Sequence, residues 1–133
     1  ETGLDHHVSF LPPTREIVSF YRALDALVLP SSWEGLPNVV LEALAHARPV
    51  VATDVGDVSA MVVPGETGWL VPPENPRALA DAIQQVVSAP DDRLRAMGAA
   101  GRKLVSERFS VERLVENTMA VYDEALAMRR RDS

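Results

Sequence analysis

Four short runs in this chain carry almost nothing but apolar side chains: Val8–Leu11, Ala26–Leu29, Pro49–Thr53 and Gly68–Val71. A strand with one wet face alternates apolar and polar residues, whereas a strand covered on both faces reads as a continuous apolar run. The stretches between them change period. Thr14–Leu24 places Ile17, Val18, Tyr21 and Leu24 at helical spacing behind Thr14 as a helix-capping residue. Asn38–Ala47 and a short segment at Val58–Val62 are also helical in pattern. Strands and helices in alternation predict an α/β fold, a parallel sheet with helices on both faces.

The second half reads as nearly continuous helix broken by punctuation. Asn75 suits a cap and Pro76 a first helical position, with Leu79, Ala82, Ile83, Val86 and Val87 on one face. Pro90–Asp91 ends that helix and opens another, which runs to about Glu107. Phe109–Ser110 then starts a last helix whose Leu114, Val115, Met119, Tyr122 and Leu126 make a core or docking face. With 133 residues the chain has the length of one domain.

Charge and composition remove several function classes. The 13 basic and 19 acidic residues leave a net charge of −6, which repels nucleic acid. There is no cysteine, so thiol chemistry and cysteine-based metal sites are excluded. The His6–His7 pair lacks further ligands at metal spacing and reads as a surface pair, so no metal is expected. His46 reads as a last-turn residue favoured by the helix dipole. No apolar run reaches the length of a membrane span. Arg129–Arg131 reads as a solvated basic tail.

The chemistry concentrates in the segment Ser31–Asp57. Pro30, Gly35 and Pro37 prevent one regular helix from holding both Glu34 and Glu42, so Glu34 belongs to a loop and Glu42 to the helix that follows. Asn38 is the expected cap of that helix. A strand, a loop and a helix N-terminus in succession stand where open α/β sheets bind ligands, and the free N–H groups favour a phosphate. A carboxylate there would repel phosphate, so Glu34 and Glu42 must accept from hydroxyls such as the diols of a sugar or ribose. The alternative is a pair of ordinary surface acids. Trp33 reads as a packing anchor and Asp57 as a turn residue beside Gly56.

Pro30-Ser31-Ser32-Trp33-Glu34-Gly35-Leu36-Pro37-Asn38, continuing to Glu42-Ala43, resembles the signature of family-4 retaining glycosyltransferases of the GT-B fold, with seven residues between the two glutamates. Val8-Ser9-Phe10-Leu11, Pro49–Thr53 with Asp54-Val55-Gly56-Asp57, Gly65–Pro72, Glu107-Arg108-Phe109-Ser110 and Tyr122 fit the same pattern, from about Leu4 to Leu126. Three positions depart from it: Pro12–Pro13 follow Phe10–Leu11 where glycine is common, Ala47 replaces a frequent glycine, and Ala60 a frequent glutamate. The resemblance implies a donor site for a nucleotide-sugar, a UDP- or GDP-sugar, formed by Glu34, Gly35, Leu36, Pro37, Asn38, Val39 and Glu42. Glu34 would be the catalytic residue and contact the transferred sugar, Glu42 would hold the ribose, and backbone amides across Gly35–Val40 would meet the sugar and pyrophosphate. Transfer would retain anomeric configuration through positioning and leaving-group stabilisation, with no metal or other cofactor.

The same resemblance makes residues 1–133 a partial nucleotide-sugar-binding domain, without the N-terminal acceptor domain and the first two strands of the donor domain. An isolated chain of this kind is expected to be inactive, and a non-catalytic half-domain or assembly module is the alternative reading. In strand order 3-2-1-4-5-6 the absent strands would lie between Val8–Leu11 and Ala26–Leu29. Their absence predicts a homodimer or strand swap through the open edge, or Val8–Leu11 moving beside Ala26–Leu29. The expected location is cytoplasmic, or peripheral at a membrane through the acceptor domain.

Overall fold

A computed structural model describes residues 3–131, with side chains through Arg129. Its elements are α1 (Ile17–Ala23), β1 (Leu27–Leu29), α2 (Asn38–Ala45), β2 (Val50–Thr53), α3 (Val58–Met61), β3 (Gly68–Val71), α4 (Pro76–Ser88), α5 (Asp91–Arg108) and α6 (Val111–Arg131). The three strands form one parallel sheet in the order β1-β2-β3, with Val28 opposite Val51 and Val51 opposite Trp69. Among the described residues β1 therefore has one neighbour, and its other edge is open.

The central strand explains why the apolar runs do not alternate. All four residues of β2 are buried. Val50 and Ala52 pack with Tyr21, Val40, Leu44, Val58 and Met61 on one side of the sheet. Val51 packs with Trp69, Val71, Ala82 and Met97 on the other. Successive side chains of one strand thus feed two cores, and a polar residue at any of the first three positions would face a core. Each fully buried valine or leucine contributes about 1.5–3 kcal/mol, so the sheet and its covering helices carry most of the stability.

Local signals fix the helix starts of the second half. Asn75 Oδ1 accepts from the Ala78 amide at 3.0 Å ahead of Pro76. Ser110 Oγ accepts from the Arg113 amide at 3.2 Å at the head of α6.

Several expectations fail, each for a physical reason. Val8–Leu11 is neither a strand nor placed beside β1: it is irregular and exposed, because no strand stands next to it to take its backbone hydrogen bonds. Thr14 does not cap α1. Its hydroxyl accepts from the Glu16 amide at 3.0 Å in a preceding turn, and the helix begins at Ile17. Ile83 and Val87 lie at the margin of the α4 face, exposed, while Leu79, Ala82 and Val86 reach the core. The apolar stripe of α6 is solvent-facing: Leu114, Val115, Met119, Tyr122 and Leu126 are all exposed. Of the two readings of that stripe, docking face or core, only the former is compatible with this.

Candidate functional site

The loop after β1 is built by β2. Thr53 is buried, and its hydroxyl donates to the carbonyl of Ser31 at 2.5 Å, fastening the start of the loop to the end of the neighbouring strand. Three residues further on, Gly56 adopts φ +54, and the space a β-carbon would need is filled by the backbone carbonyls of Glu34 and Gly35. A side chain here would meet both a left-handed backbone and an occupied space. The Asp57 amide then donates to the Gly35 carbonyl at 3.1 Å. Asp57 is thus the turn residue its sequence suggests, and it braces the glutamate loop through its backbone at the head of α3.

Glu34 and Glu42 stand on either side of the α2 N-terminus, one in the loop and one in the helix. Each carboxylate is held by one neutral hydroxyl. Ser31 Oγ donates to Glu34 Oε1 at 2.6 Å. Tyr21 Oη donates to Glu42 Oε2 at 2.8 Å. Neither glutamate forms a salt bridge among the described residues. Tyr21 is a buried residue whose ring stacks on His46 at 5.3 Å. Burial, and next the hydrogen bond to Glu42, push its phenol up to about 12, so it remains a neutral donor.

The helix start differs from expectation in a way that leaves donors free. Pro37, with no N–H, occupies the capping position, and Asn38 is the first helical residue instead of the cap. No side chain caps α2. The amides of Asn38 and Val39 have no acceptor among the described residues, which is the arrangement that favours an anion at a helix end. Gly35, Leu36, Asn38 and Val39 are exposed around this end, while Pro37 is buried beneath it. Trp33 is not the packing anchor expected: it is 82% exposed.

The far end of α2 is closed by a hydrogen-bonded turn in which the Arg48 amide donates to the Ala43 carbonyl and the Ala47 amide to the Leu44 carbonyl, both at 2.9 Å. That turn requires a left-handed residue after the cap, and Ala47 supplies it at φ 56. Glycine adopts this conformation without the strain that the alanine β-carbon brings. His46 caps the helix, donating from Nδ1 to the Glu42 carbonyl at 2.8 Å.

A cleft of about 190 Å³ opens beside the loop at the carboxyl end of the sheet, lined by Pro30, Ser32, Thr53, Glu74, Asn75 and Leu79. A larger apolar groove of about 660 Å³ lies between Leu11–Thr14 and α1. Its walls are mostly Leu11, Pro12, Pro13, Ile17 and Phe20, with Thr14, Glu16 and Ser19 beside them, and it lies along the irregular N-terminal segment away from the carboxyl end of the sheet, so the loop and helix end define the candidate site. Among the described residues no group of three or more His, Asp or Glu gathers to hold a metal.

The sequence located Glu34, Glu42 and the helix end but missed Ser31, Thr53 and Tyr21 as the groups that hold them. Tyr21 carried a usable signal: a tyrosine on an apolar helix face needs a partner for its hydroxyl.

The sequence profile of the family described as glycosyl transferases group 1 matches residues 1–89, more than half of the chain. The chain belongs to this family. It is 37% identical over 124 residues to a D-inositol 3-phosphate glycosyltransferase of Corynebacterium urealyticum, covering 92% of this chain and 29% of that protein. It is also 37% identical to the lipopolysaccharide core biosynthesis mannosyltransferase of Rhizobium meliloti, covering 95% of this chain and 36% of that one. The chain thus spans about a third of the length of these relatives. Sucrose-phosphate synthase from Thermosynechococcus elongatus superposes with a TM-score of 0.83 at 33% identity, over 94% of this chain and 32% of that structure. A structure of Anabaena HepE in complex with UDP superposes at 0.84 with 24% identity, over 92% of this chain and 34% of that one, a likeness of fold. The three-stranded sheet with its helices matches the Rossmann-like domain of GT-B glycosyltransferases.

Proposed function

We propose that this glycosyltransferase chain supplies part of the nucleotide-sugar site of a family-4 retaining enzyme that transfers a hexose from a UDP- or GDP-sugar. One observation carries the reading: two hydroxyl-oriented carboxylates, Glu34 and Glu42, flank an uncapped helix N-terminus at the carboxyl end of a parallel strand. The free amides of Asn38 and Val39 take the pyrophosphate. The exposed amides of Gly35 and Leu36 stand next to them along the same ligand. Glu34 accepts from hydroxyls of the transferred sugar, and Glu42 from the ribose. Each carboxylate has one oxygen without a partner among the described residues, which is the acceptor a diol needs.

In this reading the leaving diphosphate departs toward the helix end, which stabilises its developing charge without reorganising. The acceptor hydroxyl approaches the same face of the sugar, and configuration is retained. Residues 1–133 form part of the donor domain, and the acceptor domain belongs to the remaining length of the relatives. The isolated chain therefore binds donor and does not turn over. The likeness to glycosyltransferases at 37% identity supports this over an assembly module without catalytic descent.

Calorimetric or NMR titration with uridine, guanosine and adenosine diphosphates tests the reading. One of the first two should bind more tightly than adenosine diphosphate, and absence of binding by all three would remove the donor site from this chain.

A further inference from the structure

Exposed glutamates on helices sample several rotamers, and fixing one costs side-chain entropy. Glu42 is exposed, yet its carboxylate is tied at Oε2 to a hydroxyl that comes from beneath it. That hydroxyl belongs to Tyr21, 2% exposed, whose ring is wedged edge-on against Phe20 at 5.8 Å and stacked on His46. His46 in turn bonds to the Glu42 carbonyl. The phenol therefore has little freedom, and it approaches one carboxylate oxygen while the other stays open.

We infer that Tyr21 is a positioning residue for the donor nucleotide: its buried hydroxyl presets Glu42 so that Oε1 is presented to the ribose diol. The inference rests on the reading that Glu42 holds the ribose. A phenol is suited to this task. It stays neutral across the physiological range and so adds no charge that would compete for the diphosphate. It donates one hydrogen bond and leaves the remaining lone pairs of the carboxylate for ligand hydroxyls. A purely structural role is the competing account, in which Glu42 merely satisfies a buried hydroxyl.

The two accounts separate on the ligand. Tyr21→Phe keeps the ring and removes only the donor, so folding, followed by circular dichroism and thermal midpoint, should be nearly preserved. The nucleoside diphosphate that binds the native chain best is titrated beside its 2′,3′-dideoxy analogue into the native chain, Y21F, E42A and the double variant. Positioning predicts that Y21F weakens the ribonucleotide about fivefold, leaves the dideoxy analogue unchanged, and adds nothing once Glu42 is alanine. An equal affinity of native and Y21F chains for the ribonucleotide, with E42A weakened, would overturn the role of Tyr21 alone. A loss in Y21F that is the same for both ligands would also overturn it. Affinity unchanged in E42A, or no binding by the native chain, would instead overturn the underlying reading of Glu42.

Discussion

The sheet with α2 and the helix α6 carry equally clear apolar stripes, and they meet opposite fates. In α2, Val40, Ala43 and Leu44 are completely buried, and their packing sets where Glu42 projects. In α6, 21 residues long, every described side chain is exposed. Periodicity states that a face wants to be covered; it does not state what covers it. The site end of the molecule is thus self-sufficient in packing, while α6 and the Leu4–Val18 region present apolar surface that the described chain does not bury.

Leu44→Ala removes a fully buried side chain beneath the site and should cost about 3 kcal/mol in chemical denaturation. A cost under about 1 kcal/mol would show that the α2 core is as loose as the α6 stripe. Raising pH probes the same core through Tyr21. Its folded-state pKa stands at about 12 against an ordinary 10, so the neutral form is favoured in the fold. That stability is complete below about pH 10 and is lost as pH rises through 12, by up to about 3 kcal/mol. Y21F should abolish this slope in the pH dependence of unfolding.

Gly56→Ala addresses the contact between the two loops. It forces a β-carbon against the Glu34 and Gly35 carbonyls at a left-handed residue, and should destabilise by about 2 kcal/mol while weakening donor binding. Ala47→Gly acts in the opposite direction. It relieves the left-handed alanine that closes α2 and should stabilise by about 1 kcal/mol, read as a raised thermal midpoint. Leu114→Ala on α6 should change stability by less than about 0.5 kcal/mol, because the side chain is 66% exposed and belongs to neither core cluster.

The open edge of β1 belongs to the same question. Light scattering on the chain should find a dimer or higher assembly through that edge, and a monodisperse monomer would remove that expectation.

How much was legible in the sequence follows from the same contrast. The strands at β1, β2 and β3, and the helices α2, α4 and α5, could be read because local pattern and tertiary burial agree there, whereas α6 was legible from its periodicity and its Ser110 cap alone. Val8–Leu11 misled because its strand pattern needs a neighbour to become a strand, and pattern alone cannot supply one. Asn38 misled because a good capping residue followed a proline that took the cap position itself. The glutamates could be read because glycine and proline forced them onto different elements. Their hydroxyl partners could not, since Tyr21 lies 21 residues before Glu42 and only the packing of α1 on α2 brings them together. Thr53 and Gly56 were likewise hidden, as their work is done across strands.

Whether Glu34 and Glu42 divide one donor between them is decided by paired titration of E34A and E42A with a nucleoside diphosphate and its sugar conjugate. E42A should weaken both ligands about tenfold, while E34A should weaken only the sugar conjugate and spare the diphosphate. Equal losses for both ligands in both variants, or none in either, would contradict that division.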